Sequence, residues 1–229
     1  MKQWKRIILL SILIIIVGFS ASINLKVSIG VGAWDAFAQS VSFLSAIKVG
    51  TIGMILNISL VLGQWLLLRK NFKFRHLLQV PVSILLGTVV NFFLYDVFGS
   101  ITIDSYALKL MLLILAYVIA ACAVGAIMVL DVVTFALEGF CMALAKKTKL
   151  DFAKVRQGAD IVSILLVILL TVGFSIVLTI REGTIIGMLV FAPVMGFFMK
   201  KIRPLFRKLD LLDGEEVKVD VDKTSVRVV

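Results

Sequence analysis

One histidine, two cysteines and three prolines in 229 residues leave few of the side chains from which catalytic and metal centres are built. His76 has no second histidine with which to share a zinc or iron, so paired-histidine metal motifs are excluded. Cys122 and Cys141 form no spaced motif and sit in apolar surroundings, the pattern of small packing residues. No glycine-rich phosphate cradle with its lysine occurs, and no nucleophile has a base close by in the chain. The chain is therefore expected not to be an enzyme and to hold no cofactor or metal. Acids are scarce too, 14 against 24 lysines and arginines, for a net charge of +10. A nucleic-acid binder would cluster such a surplus on a solvated domain. Here the basic residues fall in short blocks between long apolar runs, which argues against nucleic acid.

What is abundant is apolar side chain: 61% of the residues, with a mean hydropathy of +1.09. A soluble core could not bury that much, so an all-α, polytopic membrane protein is expected. A bilayer core about 30 Å thick needs roughly 20 helical residues. Six segments meet or approach that length, at about 7–25, 51–68, 77–98, 107–130, 159–180 and 184–199. Basic blocks orient them. Lys2, Lys5 and Arg6 precede the first span, and Arg69, Lys70, Lys73 and Arg75 follow the second. Lys146, Lys147, Lys149, Lys154 and Arg156 follow the fourth, and Lys200, Lys201, Arg203, Arg207 and Lys208 follow the sixth. Alternate loops are basic, so the positive-inside rule puts both termini in the cytoplasm. The basic start and apolar run of the first span also fit a signal peptide. Continuation of that run to Ile23 and Leu25 favours an uncleaved helix. The transmembrane domain is expected over 1–208, with a short cytoplasmic tail at 209–229.

The halves, about 7–98 and 107–200, read as repeats. Each has an interrupted segment, 30–46 in the first and 131–145 in the second, too short to span and rich in small and polar residues. Gly87-Thr88-Val89-Val90 answers Gly183-Thr184-Ile185-Ile186, and the spacing from Phe37 to Gly87 nearly matches that from Phe135 to Gly183. Three spans per repeat is an odd number, so the repeats are inverted. Inverted repeats characterise many secondary transporters, whose sites lie at the repeat interface on broken helices. The interrupted segments either enter the membrane there or lie on its surface as amphipathic helices.

Ala33-Trp34-Asp35-Ala36-Phe37, the two Gly-Thr pairs, Lys146-Lys147-Thr148 with Arg156 beyond it, and Ala192-Pro193 together resemble the YczE/YyaS/YitT group of bacterial membrane proteins. The resemblance runs over nearly all of 7–200. Ala33 stands where that group usually has proline, and Val132 and Val133 depart from the usual start of the second segment. The resemblance implies a bacterial plasma-membrane protein with a transport role and names no substrate.

Ionisable groups in a bilayer cost about 2.5–3.5 kcal/mol each on insertion scales, so those in or near the spans are the candidate site. Asp35 leads, beside Trp34 in the first interrupted segment; there the acid could attract a cation or amine while the indole offers a flat face. Glu138 occupies the comparable segment of the second half. Asp160 lies one turn after Arg156 on the same helix face. Asn57, Gln64 and Asn91 are amides within spans, able to line a polar path or to bond helix to helix. The expected substrate-binding set is Trp34, Asp35, Asn57, Asn91, Glu138, Arg156 and Asp160. Two functions compete: a secondary transporter of a small solute, and a non-transporting scaffold or substrate-binding subunit of a larger uptake complex. The second would use an apolar groove such as Ala116 to Gly125 against a partner. Expected partners are membrane lipid and a small-molecule solute, and a homo-oligomer is compatible with the pattern.

Overall fold

The computed structural model describes residues 2–212, and those described residues are helical, with no strand. The helices are α1 (Lys2–Val27), α2 (Ala33–Ser45), α3 (Val49–Leu68), α4 (Phe74–Leu77), α5 (Gln79–Asn91), α6 (Tyr106–Leu130), α7 (Ala136–Thr148), α8 (Phe152–Phe174) and α9 (Glu182–Lys208). A π-helical stretch, Phe92–Val97, extends α5. Among the described residues, six stretches are long and apolar enough to cross a membrane: Gln3–Val27, Val49–Asn71, Phe74–Val97, Tyr106–Leu130, Phe152–Phe174 and Glu182–Lys208. The protein is thus a multi-pass helical membrane protein. Its large exposed side chains, such as Leu62, Leu165, Leu169 and Leu189, are what a hydrocarbon solvent accepts. The tail beyond Leu212 lies outside the described residues.

Two boundaries differ from the sequence reading. The fifth span begins at Phe152 rather than near 159, and it ends at Phe174 because Ser175 turns left-handed, φ 54°. The apolar run that follows is not helix. It folds back so that Thr179 donates to the Ala36 carbonyl at 2.9 Å and lies 2.8 Å from the Ser40 hydroxyl. The sixth helix outruns its expected 184–199, since neither Pro193 nor Pro204 breaks it.

Several helix boundaries recur at an interval of 103 residues. Val27 and Leu130 end α1 and α6; Ala33 and Ala136 begin α2 and α7; Val49 and Phe152 begin α3 and α8; Gln79 and Glu182 begin α5 and α9. Backbone detail keeps the same interval: Ser28 and Asp131 are both left-handed, as are Ala46 and Lys149. This register corrects the one read from the sequence. Phe37 answers Phe140 rather than Phe135. Gly87 lies well inside α5, whereas Gly183 is the second residue of α9.

Packing is reciprocal between the halves: α2 lies against α8, and α7 lies against α3, while α1 packs along α6. The loops after α1 and α6 are held alike. Arg181 donates to the Ser28 carbonyl at 3.0 Å, and Arg75 donates to the Asp131 and Val132 carbonyls. One pair of contacts is not reciprocal, for α3 and α5 pack closely and α8 and α9 scarcely meet. Gly50 and Gly87 let α3 and α5 approach backbone to backbone, since a Cβ at either would strike the other's carbonyl oxygen. Gln64 and Gln79 exchange both amide bonds, at 2.7 and 3.2 Å. The corresponding residues on α8 and α9 are Ala153, Val190, Val167 and Glu182, which offer neither device.

Candidate functional site

The two short helices have 13 residues each. At 1.5 Å per residue that is about 20 Å, too short to span. Each buries one side against the long helices. Ala33, Ala36, Ala38, Ser40 and Ser42 of α2 are buried, as are Ala136, Leu137, Gly139, Cys141, Ala143 and Ala145 of α7. These are mostly small side chains, and smallness lets short helices sit close among long ones. Asp35 and Glu138 are the third residues of α2 and α7. There the unpaired N–H groups and the helix dipole favour a negative charge.

Around these two acids the structure gathers most of the residues singled out from the sequence. Arg156 donates through Nε to Glu138 Oε1 at 3.4 Å and through Nη1 to Asp160 Oδ1, bridging α7 and α8. The Glu138, Arg156 and Asp160 side chains are 27%, 29% and 23% exposed, so this is a half-enclosed triad rather than a surface pair. Trp34 Nε1 donates to Asn57 Oδ1 at 3.2 Å, tying α2 to α3. The Trp34 ring packs against the buried cluster of Leu137, Cys141, Ala145 and Val155. Asp35 lies within electrostatic reach of Arg156, Glu138 and Asp160, and of Tyr117 on α6. Protein encloses it on many sides, yet the residue is exposed at the protein surface, and among the described residues it has no hydrogen-bond or ion-pair partner. Two carboxylates thus share one guanidinium, and a third, Asp35, lies within its electrostatic reach without contact.

The 103-residue interval pairs these groups: Asp35 with Glu138, Asn57 with Asp160, and Gly53 with Arg156. Asn91 stands apart. Its amide accepts from Gly50 N and donates to Thr51 Oγ1, both at 2.9 Å, so it caps the first turn of α3. Gln64 is wholly buried and serves the α3–α5 clasp, with a further bond to the Ala136 carbonyl at 3.2 Å. The run from Ala116 to Gly125 offers no free groove, because Ala116 and Ala121 are fully buried and Gly125 faces Met195 and Met199 of α9. Tyr117 is the residue that sequence reasoning missed. Its hydroxyl donates to the Gly183 carbonyl at 3.2 Å, and its ring packs on Gly187. A depression of about 270 Å³ lined by Ser42, Phe43, Ala46, Ile47, Lys48 and Tyr95 lies at the other end of α2. Its one charge, Lys48, is laid over the Tyr95 ring, and it has none of the convergent chemistry found around Asp35.

A family of unknown function, DUF6198, has a model that matches residues 4–200, and the chain belongs to that family. No curated protein and no solved structure matches it.

Proposed function

We propose that this DUF6198 protein is a secondary transporter of a small solute, with its site between two inverted repeats and with Trp34, Asp35, Asn57, Glu138, Arg156 and Asp160 around the solute. The observation that carries this reading is the gathering of charged groups from both halves around the first turns of α2 and α7. A scaffold has no use for a carboxylate without a partner at this place, since every intramembrane charge is costly to insert. A solute site does. Three spanning helices per half make the two halves opposite in direction, and reciprocal packing of α2 on α8 and α7 on α3 is what a two-fold axis in the membrane plane would produce. The basic blocks of alternate loops support a cytoplasmic place for both termini in this reading. The likeness to the YczE/YyaS/YitT group adds a bacterial plasma membrane to this reading.

Alternating access needs a part that moves. α8 scarcely packs on α9, so it is the part free to rock, while α3 and α5 stay clasped together. The test is solute-dependent uptake or current in proteoliposomes, screened over amines, amino acids, sugars and carboxylates. The wild-type protein should respond to one class, and Asp35→Asn should lose that response with a melting temperature close to wild type. An equal response from Asp35→Asn would refute the site.

A further inference from the structure

The charged cluster is unequal between the two halves. In the second half, the acid of the short helix, Glu138, and the polar residue of the long one, Asp160, are joined by Arg156. In the first half the same positions carry Asp35 and Asn57. The position of Arg156 falls to Gly53, one turn before Asn57 on the same face of α3. A Cβ built on Gly53 would meet no atom within 4 Å, so there is open space where the other half has an arginine side chain. Among the described residues Asp35 correspondingly has no hydrogen-bond or ion-pair partner, although its counterpart Glu138 has one. The Trp34 indole, fixed by its bond to Asn57, stands next to Asp35 in the chain.

We propose that the solute carries a guanidinium group, which binds Asp35 from the space beside Gly53 and so supplies the cation that Arg156 supplies in the other half. This rests on the solute-site reading given above. A planar guanidinium suits the place better than an ammonium for two reasons. It can donate at once to a carboxylate and to a neighbouring amide oxygen, as Arg156 donates at once to two acids. It also stacks on an aromatic face, which a compact, strongly hydrated ammonium does less well. The net charge of the cluster agrees, with three acids against one arginine.

Binding is read from the fluorescence of Trp34 in detergent-purified protein in which the two exposed tryptophans, Trp4 and Trp65, are replaced by phenylalanine. The probes are phenylguanidinium, benzylammonium and benzoate. Phenylguanidinium should perturb Trp34 and raise the melting temperature, with at least tenfold higher affinity than benzylammonium and no effect from benzoate. Asp35→Asn should weaken it at least tenfold. Gly53→Arg should abolish binding and melt no lower than wild type, since its own guanidinium reaches Asp35, whereas Gly53→Leu should abolish binding without that stabilisation. Equal affinity for the two cations, preference for benzoate, or full phenylguanidinium binding by Gly53→Arg would overturn the inference. If Asp35-dependent uptake of another solute persists while phenylguanidinium neither binds nor competes, the guanidinium assignment alone fails. If no solute gives Asp35-dependent uptake, the transporter reading fails with it.

Discussion

Asp35 and Glu138 hold the same position, the third residue, on two helices of equal length that come from opposite halves of the chain. Among the described residues only Glu138 has an arginine paired with it. That inequality within an otherwise matched pair is the feature from which the functional account grows.

Removing the shared guanidinium should expose its structural contribution. Arg156→Gln leaves Glu138 and Asp160 about a quarter exposed and mutually repelling. A fully buried pair broken in this way loses about 3–5 kcal/mol, and partial exposure brings the expected loss down to about 2 kcal/mol. The double variant Arg156→Gln/Asp160→Asn should recover part of it. Thermal melts of the purified variants check both, and a double variant no more stable than the single would contradict the triad.

Glycine contacts give a graded series. Gly87→Val would drive its side chain into Gly50 and Met54, and Gly183→Val into the Ile29 and Gly30 carbonyls. Overpacking of this kind costs about 1–3 kcal/mol, and more where backbone cannot yield. Gly158→Ala should instead be nearly neutral, because a Cβ there meets nothing within 4 Å. Comparable melting temperatures for all three would contradict the close α3–α5 approach.

Motion should be uneven between the two matched helix pairs. Spin labels at Ser59 and Ile84, on α3 and α5, should give a narrow distance distribution, because the Gln64–Gln79 exchange and the Gly50–Gly87 contact hold those helices. Labels at Leu169 and Leu189, on α8 and α9, should give a broad or two-peaked one, measured by pulsed electron resonance in nanodiscs. Equally narrow distributions would contradict α8 as the moving part.

Much of this architecture was legible in the sequence, because hydropathy and basic blocks act over whole spans and need no exact register. The Arg156–Asp160 pair was legible too, since four residues along a helix is one turn. The end of the fifth span was not. Ile176, Val177 and Leu178 read as helix, and only the left-handed Ser175 and the burial of Thr179 against α2 explain why they are not. The repeat register was misread on the Gly-Thr pairs, whose tertiary settings differ: Thr88 is exposed and Thr184 buried. A better signal was present in Ala33-Trp34-Asp35-Ala36-Phe37 and Ala136-Leu137-Glu138-Gly139-Phe140, which share alanine, acid, small residue and phenylalanine in order. The Trp34–Asn57 bond and the place of Tyr117 depend on how separate helices meet. Asn91 looked like Asn57 in sequence, and only its cap on α3 distinguishes it.

The most direct test of the central claim is the reactivity of position 35 from the two sides of the membrane. In protein lacking Cys122 and Cys141, Asp35→Cys is exposed to a membrane-impermeant thiol reagent in right-side-out and in inside-out vesicles. A site between inverted repeats that opens alternately predicts labelling from both sides, slowed on both by locking α8 to α9 with a cross-linker. Labelling from one side only, unchanged by the cross-link, would contradict it.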